Sequence, residues 1–162
     1  MTPALTHTPL LVALAALTVS FTGSSAGAQA VYPPISARQF VAGSATVVVT
    51  GSFSISGDVA INAKASFGDG EMTWLQFGNS GSAESNALLT FGDKEVGITV
   101  ARGKLIATAG VMAGEKPQCT GSTEVKPALV SGHYVCKGIT SYDPGTGKMG
   151  TVNIEVRFTA RS

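Results

Sequence analysis

The sequence predicts an all-β fold, an antiparallel β-sandwich or flattened barrel of about nine strands behind an N-terminal signal peptide. Three observations predict it. Apolar and polar residues alternate with period 2 through most of the chain after residue 44. Ser, Thr, Gly, Ala and Val dominate there, while the residues that build amphipathic helices are scarce. Turn-forming clusters recur at intervals of roughly 8–14 residues, the rhythm of a sandwich or barrel.

The clearest strand spans residues 151–159. Val152, Ile154, Val156 and Phe158 share one face, and Asn153, Glu155, Arg157 and Thr159 share the other. Val96, Ile98 and Val100 alternate in the same way. Val59, Ile61, Ala63, Ala65 and Phe67 read as a further strand, and Val47, Val49, Phe53 and Ile55 keep one parity across Gly51. Segments 72–77, 87–91, 105–111, 118–125 and 133–142 complete the set. Turns are expected at Ser56-Gly57-Asp58, at Gly68-Asp69-Gly70, at Gly92-Asp93-Lys94 and across Asp143-Pro144-Gly145-Thr146-Gly147, because Gly, Asp and Pro supply the required backbone conformations. Residues 78–86 read as a polar loop.

The first 30 residues read differently. Residues 10–21 form an apolar run of about a dozen residues, against the roughly 20 that a membrane-spanning helix needs. Ala28-Gln29-Ala30 places small side chains where a signal peptidase reads them, so residues 1–30 are expected to be a signal peptide cleaved before Val31. No Lys or Arg precedes the run, which leaves an uncleaved anchor as the alternative. Residues 31–44, with Pro33-Pro34, are expected as an extended N-terminal arm, and residues 45–162 as a single β domain. No transmembrane span is expected once the signal is removed.

Cys119 and Cys136 are an even pair in a chain read as exported, to a periplasm, cell envelope or exterior, and are expected to form a disulfide. With one histidine nearby they supply too few ligands for structural zinc. The net charge is +1 and only 13% of residues are charged, with no basic run to neutralise phosphates, so nucleic acid is not an expected partner.

No constellation for catalysis, cofactor or metal stands out. Gly145-Thr146-Gly147-Lys148-Met149-Gly150 fits the spacing of a dinucleotide loop, but a strand pattern follows where a helix must open. Ser80 lacks an oriented base, and His133 has no acid near it in sequence before Asp143. Asp69 and Asp93 fall in turns that use Asp for backbone hydrogen bonds. The aromatic residues Trp74, Phe77, Tyr134 and Tyr142 are the candidates for an interaction surface; for Trp74, burial in the core is the stronger alternative.

The stretch Ser131-Gly132-His133-Tyr134-Val135, followed by Thr151-Val152-Asn153-Ile154-Glu155-Val156, resembles the end of the mycobacterial 19-kilodalton lipoprotein antigens. Those end in a Gly/Ser-His-Tyr strand, a loop and a terminal alternating strand. The segments Val49-Thr50-Gly51-Ser52 and 59–62 are loosely similar to them. The chain lacks that family's acylated cysteine, and its own cysteines stand elsewhere. The resemblance implies a small non-catalytic envelope β domain and no site residue. An ordered β core without any reactive cluster makes the expected function that of an exported accessory module acting by protein binding. Its alternatives are a carrier of a lipid or other apolar ligand, with Ala63, Ala65, Ala107 and Ala109 lining a cavity, and a pilus-type subunit donating residues 31–50 to a neighbour.

Overall fold

The computed structural model describes residues 37–79, 84–92, 95–112 and 118–162. The expected signal peptide, residues 31–36 of the expected arm, Ser80 and Asp93 lie outside the described residues.

Eleven strands form in chain order: β1 Arg38–Gln39, β2 Ala42–Gly51, β3 Ile55–Ala60, β4 Phe67–Gly68, β5 Thr73–Phe77, β6 Ser85–Phe91, β7 Glu95–Arg102, β8 Leu105–Met112, β9 Cys119–Lys126, β10 Leu129–Asp143 and β11 Lys148–Arg161. All pairings are antiparallel, in the order β1-β4-β5-β6-β7-β8-β10-β11-β2-β3, with β9 attached to β10. The fold is the expected all-β one. Its count exceeds nine because the two-residue strands β1 and β4 pair with each other. Residues 42–44 of the expected arm already belong to β2.

The sheet folds over on itself without closing. An isolated bridge, Ile61 to Phe77, ties the end beyond β3 to β5. Asn62 N donates to Gln76 O at 2.7 Å, and Gly78 N donates to Ala60 O at 2.8 Å.

β10 makes the fold-over workable. Its first half pairs with β9, and Ser141 and Tyr142 pair with β8. The register against β11 shifts between Cys136 and Ile139. Such a bulge bends a strand and increases its twist, which lets one strand serve two neighbours in succession. Gly138 takes φ +67° there, and its N–H donates to Asn153 Oδ1 at 3.0 Å, so the bulged amide keeps a partner.

The core lies between the β5–β8 half and the β10–β11–β2–β3 half. Val152, Ile154, Val156, Phe158 and Ala160 of β11 are all buried, as are Val47 and Val49 of β2 and Ile98 and Val100 of β7. Phe158 sits centrally, 5.6 Å from Phe91 and 6.3 Å from Phe77 between ring centroids. Arg38 fastens the start of the described chain: its guanidinium donates to Lys126 O and Pro127 O and lies 5.1 Å from the Phe40 ring centroid.

Two local expectations are corrected. The alternation from Val59 to Phe67 is not one strand. Asn62 Oδ1 accepts from Lys64 N and caps a 3₁₀ turn at Ala63–Ala65, so the phase is broken and Phe67 emerges outside. Ser56-Gly57-Asp58 is no turn: it lies within β3, and residues 52–54 make the connection from β2. The turn after β10 forms as expected. Asp143 accepts from Gly145 N at 2.8 Å and from Gly147 N at 2.8 Å, and Gly147 takes φ +68°.

Cys119 and Cys136 stand directly opposite each other on β9 and β10 and are bonded. Bonds of this kind form and persist mainly in oxidising compartments. Replacing both cysteines by serine is expected to lower stability by about 3 kcal/mol, the chain entropy released by a loop of this length. Urea unfolding of the oxidised protein and the double variant measures it, and an unchanged midpoint would contradict the expectation.

Candidate functional site

Two surface regions differ in chemistry. The first lies on the outer side of β7, β8, β10 and β11. Strand register places Ala101 opposite Ile106, Ile106 opposite Tyr142, and Tyr142 opposite Met149, one continuous row across four strands. Ile106 is 40% exposed, Tyr142 46% and Met149 72%. Thr99 and Thr108 lie beside the row, with their hydroxyls 3.1 Å apart. Charges sit at its margin, where Asp143 pairs in register with Lys148 and Lys104 acts on the Asp143 carboxylate. An apolar centre with a polar rim is the layout of a protein-binding surface.

The second region is the outer side of β9, β10, β11, β2 and β3. Ser122, His133, Arg157, Thr46 and Asp58 form one row in register. Glu155 Oε1 lies 3.0 Å from His133 Nε2 and 3.0 Å from the Arg157 guanidinium. The His133 hydrogen bond, then that of Arg157, holds the Glu155 carboxyl below its ordinary value. Thr46 Oγ1 donates to Asp58 Oδ1 at 2.5 Å. A shallow depression of about 470 Å³ lies over Gly132 and is rimmed by Ser44, Ser122, Ser131 and Thr159.

The acid that orients His133 is therefore Glu155, on the neighbouring strand, which sequence proximity missed. No described serine hydroxyl donates to the imidazole ring, so the His–Glu pair lacks a nucleophile among the described residues. No group of three or more His, Cys, Asp or Glu among the described residues is placed to hold a metal ion. The Gly145–Gly150 run is a turn entering β11. Asp69 accepts from Glu71 N and Met72 N at 2.9 and 2.8 Å, a turn cap.

The four aromatic candidates separate. Tyr142 is on the surface. Trp74 is half-buried on the outer face, its ring centroid 4.9 Å from that of Phe67. Phe77 and Tyr134 belong to the core, at 0% and 4% exposure, because both fall on inward positions of their strands. Burial of the Tyr134 phenol is tolerated since its hydroxyl lies 2.9 Å from Thr123 Oγ1. Ile106 and Met149 were not expected at a surface site. Ala107 and Ala109 are buried against the sheet interior, whereas Ala63 and Ala65 stand in the 3₁₀ turn.

No family model matches the chain, and no curated protein or solved structure matches it either.

Asp69, Asp143 and Glu155 all hold their protons less tightly when folded. A depressed folded pKa contributes stability that is present above the unfolded value and is lost as pH falls through the folded value. The unfolding temperature should therefore drop as the pH falls below about 4. Glu155→Gln should show a shallower drop than the unchanged protein in thermal melts across that range, and parallel curves would contradict the assignment.

Proposed function

We propose that the protein is an exported, non-catalytic β-sandwich that works by docking a protein partner of the cell envelope through the Ile106–Tyr142–Met149 row. One observation carries this reading. Three large apolar side chains stand exposed in consecutive register positions, although each strand also has a well-filled inner face. Chance exposure of single apolar residues is ordinary, but adjacent ones on one face of a sheet are the anatomy of an interface. Tyr and Met are suited to such a role: Tyr offers a rigid ring with a polar tip, and Met adapts its shape to a partner.

Three further features support the setting. The Cys119–Cys136 bond fits an oxidising compartment outside the cytoplasm. The apolar run and small-residue site at the N-terminus fit export. β2 is paired with β11 from Ala42 to Gly51 and with β3 from Ser44 to Val49 of the same chain, which favours this reading over donation of residues 31–50 to a neighbour.

Tyr142→Glu combined with Met149→Glu tests the reading. Both residues are exposed, so stability should move by no more than about 0.5 kcal/mol. Recovery of a stoichiometric protein partner from the native envelope should fall about tenfold or more, as for loss of central interface residues. Equal recovery with the variant and the unchanged protein would end the proposal.

A further inference from the structure

The outer side of the β4–β8 half carries a second row, four residues along β8 from Ile106. Gln39, Phe67, Trp74, Thr90, Gly97 and Gly110 stand opposite one another across β1, β4, β5, β6, β7 and β8. At one end Phe67 is 42% exposed and Trp74 half-buried, their ring centroids 4.9 Å apart. At the other end Gly97 and Gly110 face each other within strand interiors. Glycine weakens a strand by its chain entropy and its missing side chain, so its use there calls for a reason. Gly97 has one, since a Cβ on it would lie 2.4 Å from Thr90 Oγ1. Gly110 has none among the described residues. Its φ is not positive, it is exposed, and a Cβ on it meets nothing within 4 Å.

A second observation on this face is independent of the glycines. Gln76 shares the outward parity of Trp74 on β5, yet it is only 8% exposed. Its amide donates to Phe77 O at 3.4 Å, and its Oε1 accepts from no described residue. A carboxamide oxygen seated this deeply ordinarily has a donor. The positions in register with Gln76 are Leu88, Thr99 and Thr108, the two threonine hydroxyls 3.1 Å apart. No residue of the two rows is charged.

We propose that this face binds a neutral saccharide chain, laid across β4–β8 with one sugar ring against Phe67 and Trp74. A sugar ring has a face of C–H groups and a rim of hydroxyls. The C–H face meets the negative face of the aromatic rings. Rim hydroxyls donate to Gln76 Oε1 and exchange hydrogen bonds with Thr90, Thr99 and Thr108. Gly110 lets a further ring lie against the backbone. Other ligand classes fit less well. The rows offer no cation to a phosphate, which disfavours nucleic acid. A wholly apolar ligand would leave the amide and the hydroxyls without partners. β6 and β7 are paired on both sides, so an extended peptide finds no main-chain groups to read there. The site shares no residue with the Ile106–Tyr142–Met149 row and does not rest on docking there.

Trp74 is the chain's only tryptophan, so its emission reports on the site directly. The test screens the folded, disulfide-bonded protein on an array of neutral and acidic oligosaccharides and titrates those retained in solution against tryptophan fluorescence. At least one neutral oligosaccharide should bind and shift the emission. Gly110→Thr fills the bare place with a residue suited to strands, so it should raise the unfolding temperature by about 2–4 °C. The same variant should bind about tenfold more weakly or worse, because its side chain stands between ligand and backbone. Trp74→Ala should lose retention on the array. No retained oligosaccharide, retention of acidic ones alone, unchanged emission on binding, or equal binding by Gly110→Thr would overturn the proposal. A lower unfolding temperature in Gly110→Thr would overturn it too, since the glycine would then serve the fold.

Discussion

The register of β11 is the constraint on which the other strands depend. It is paired over almost its whole length with β10 on one side and with β2 on the other. Five consecutive inward positions, from Val152 to Ala160, are buried. Each large apolar side chain among them contributes about 1.5–3 kcal/mol by leaving water. A slip of one residue would turn all of them outward and bring Asn153, Glu155 and Arg157 into the interior. No local propensity competes with a penalty of that size, so β10 and β2 inherit their registers from β11, and β9, β8 and β3 inherit theirs in turn. The surface rows are a product of the same constraint: Tyr142 meets Met149, and His133 meets Arg157, only in this register.

Small residues decide where the architecture departs from a uniform sheet. Gly138 permits the bulge that hands β10 from β9 to β8. Gly132 and Gly121 lie where the backbone is closely approached, by the Phe158 ring and by the His133 carbonyl respectively. A Cβ at either would meet atoms at under 3 Å, so these positions are settled by packing against neighbours from distant parts of the chain.

What was legible in the sequence follows from period 2. β11 and β7 could be read directly because a strand with one buried face writes its orientation into the sequence. The disulfide could be read from cysteine parity and compartment. Tertiary contacts were not legible. Ser56-Gly57-Asp58 has the composition of a turn, yet Val47 and its neighbours on β2 hold it extended. Phe77 and Tyr134 are aromatic candidates by type alone, and only their parity within β5 and β10, together with the Thr123 hydroxyl, shows them to be core residues. The Glu155 partner of His133 lies diagonally across the β10–β11 ladder, next to the in-register Arg157, and Ile106 meets Tyr142 through a strand switch. Neither leaves any mark within a local window.

Among the described residues β9 is attached to the sheet through β10 alone, and the covalent link to Cys136 sits at the entry to that attachment. A strand with a single ladder ordinarily opens by itself, far more often than the whole molecule unfolds. With its first residue bound to one of the most deeply buried positions of β10, it cannot drift off from that end. Peeling can start only from Lys126, against the Arg38 latch. The bond thereby turns a peripheral ribbon into part of the cooperative unit, and the redox state of the surroundings decides whether the domain has one such unit or two.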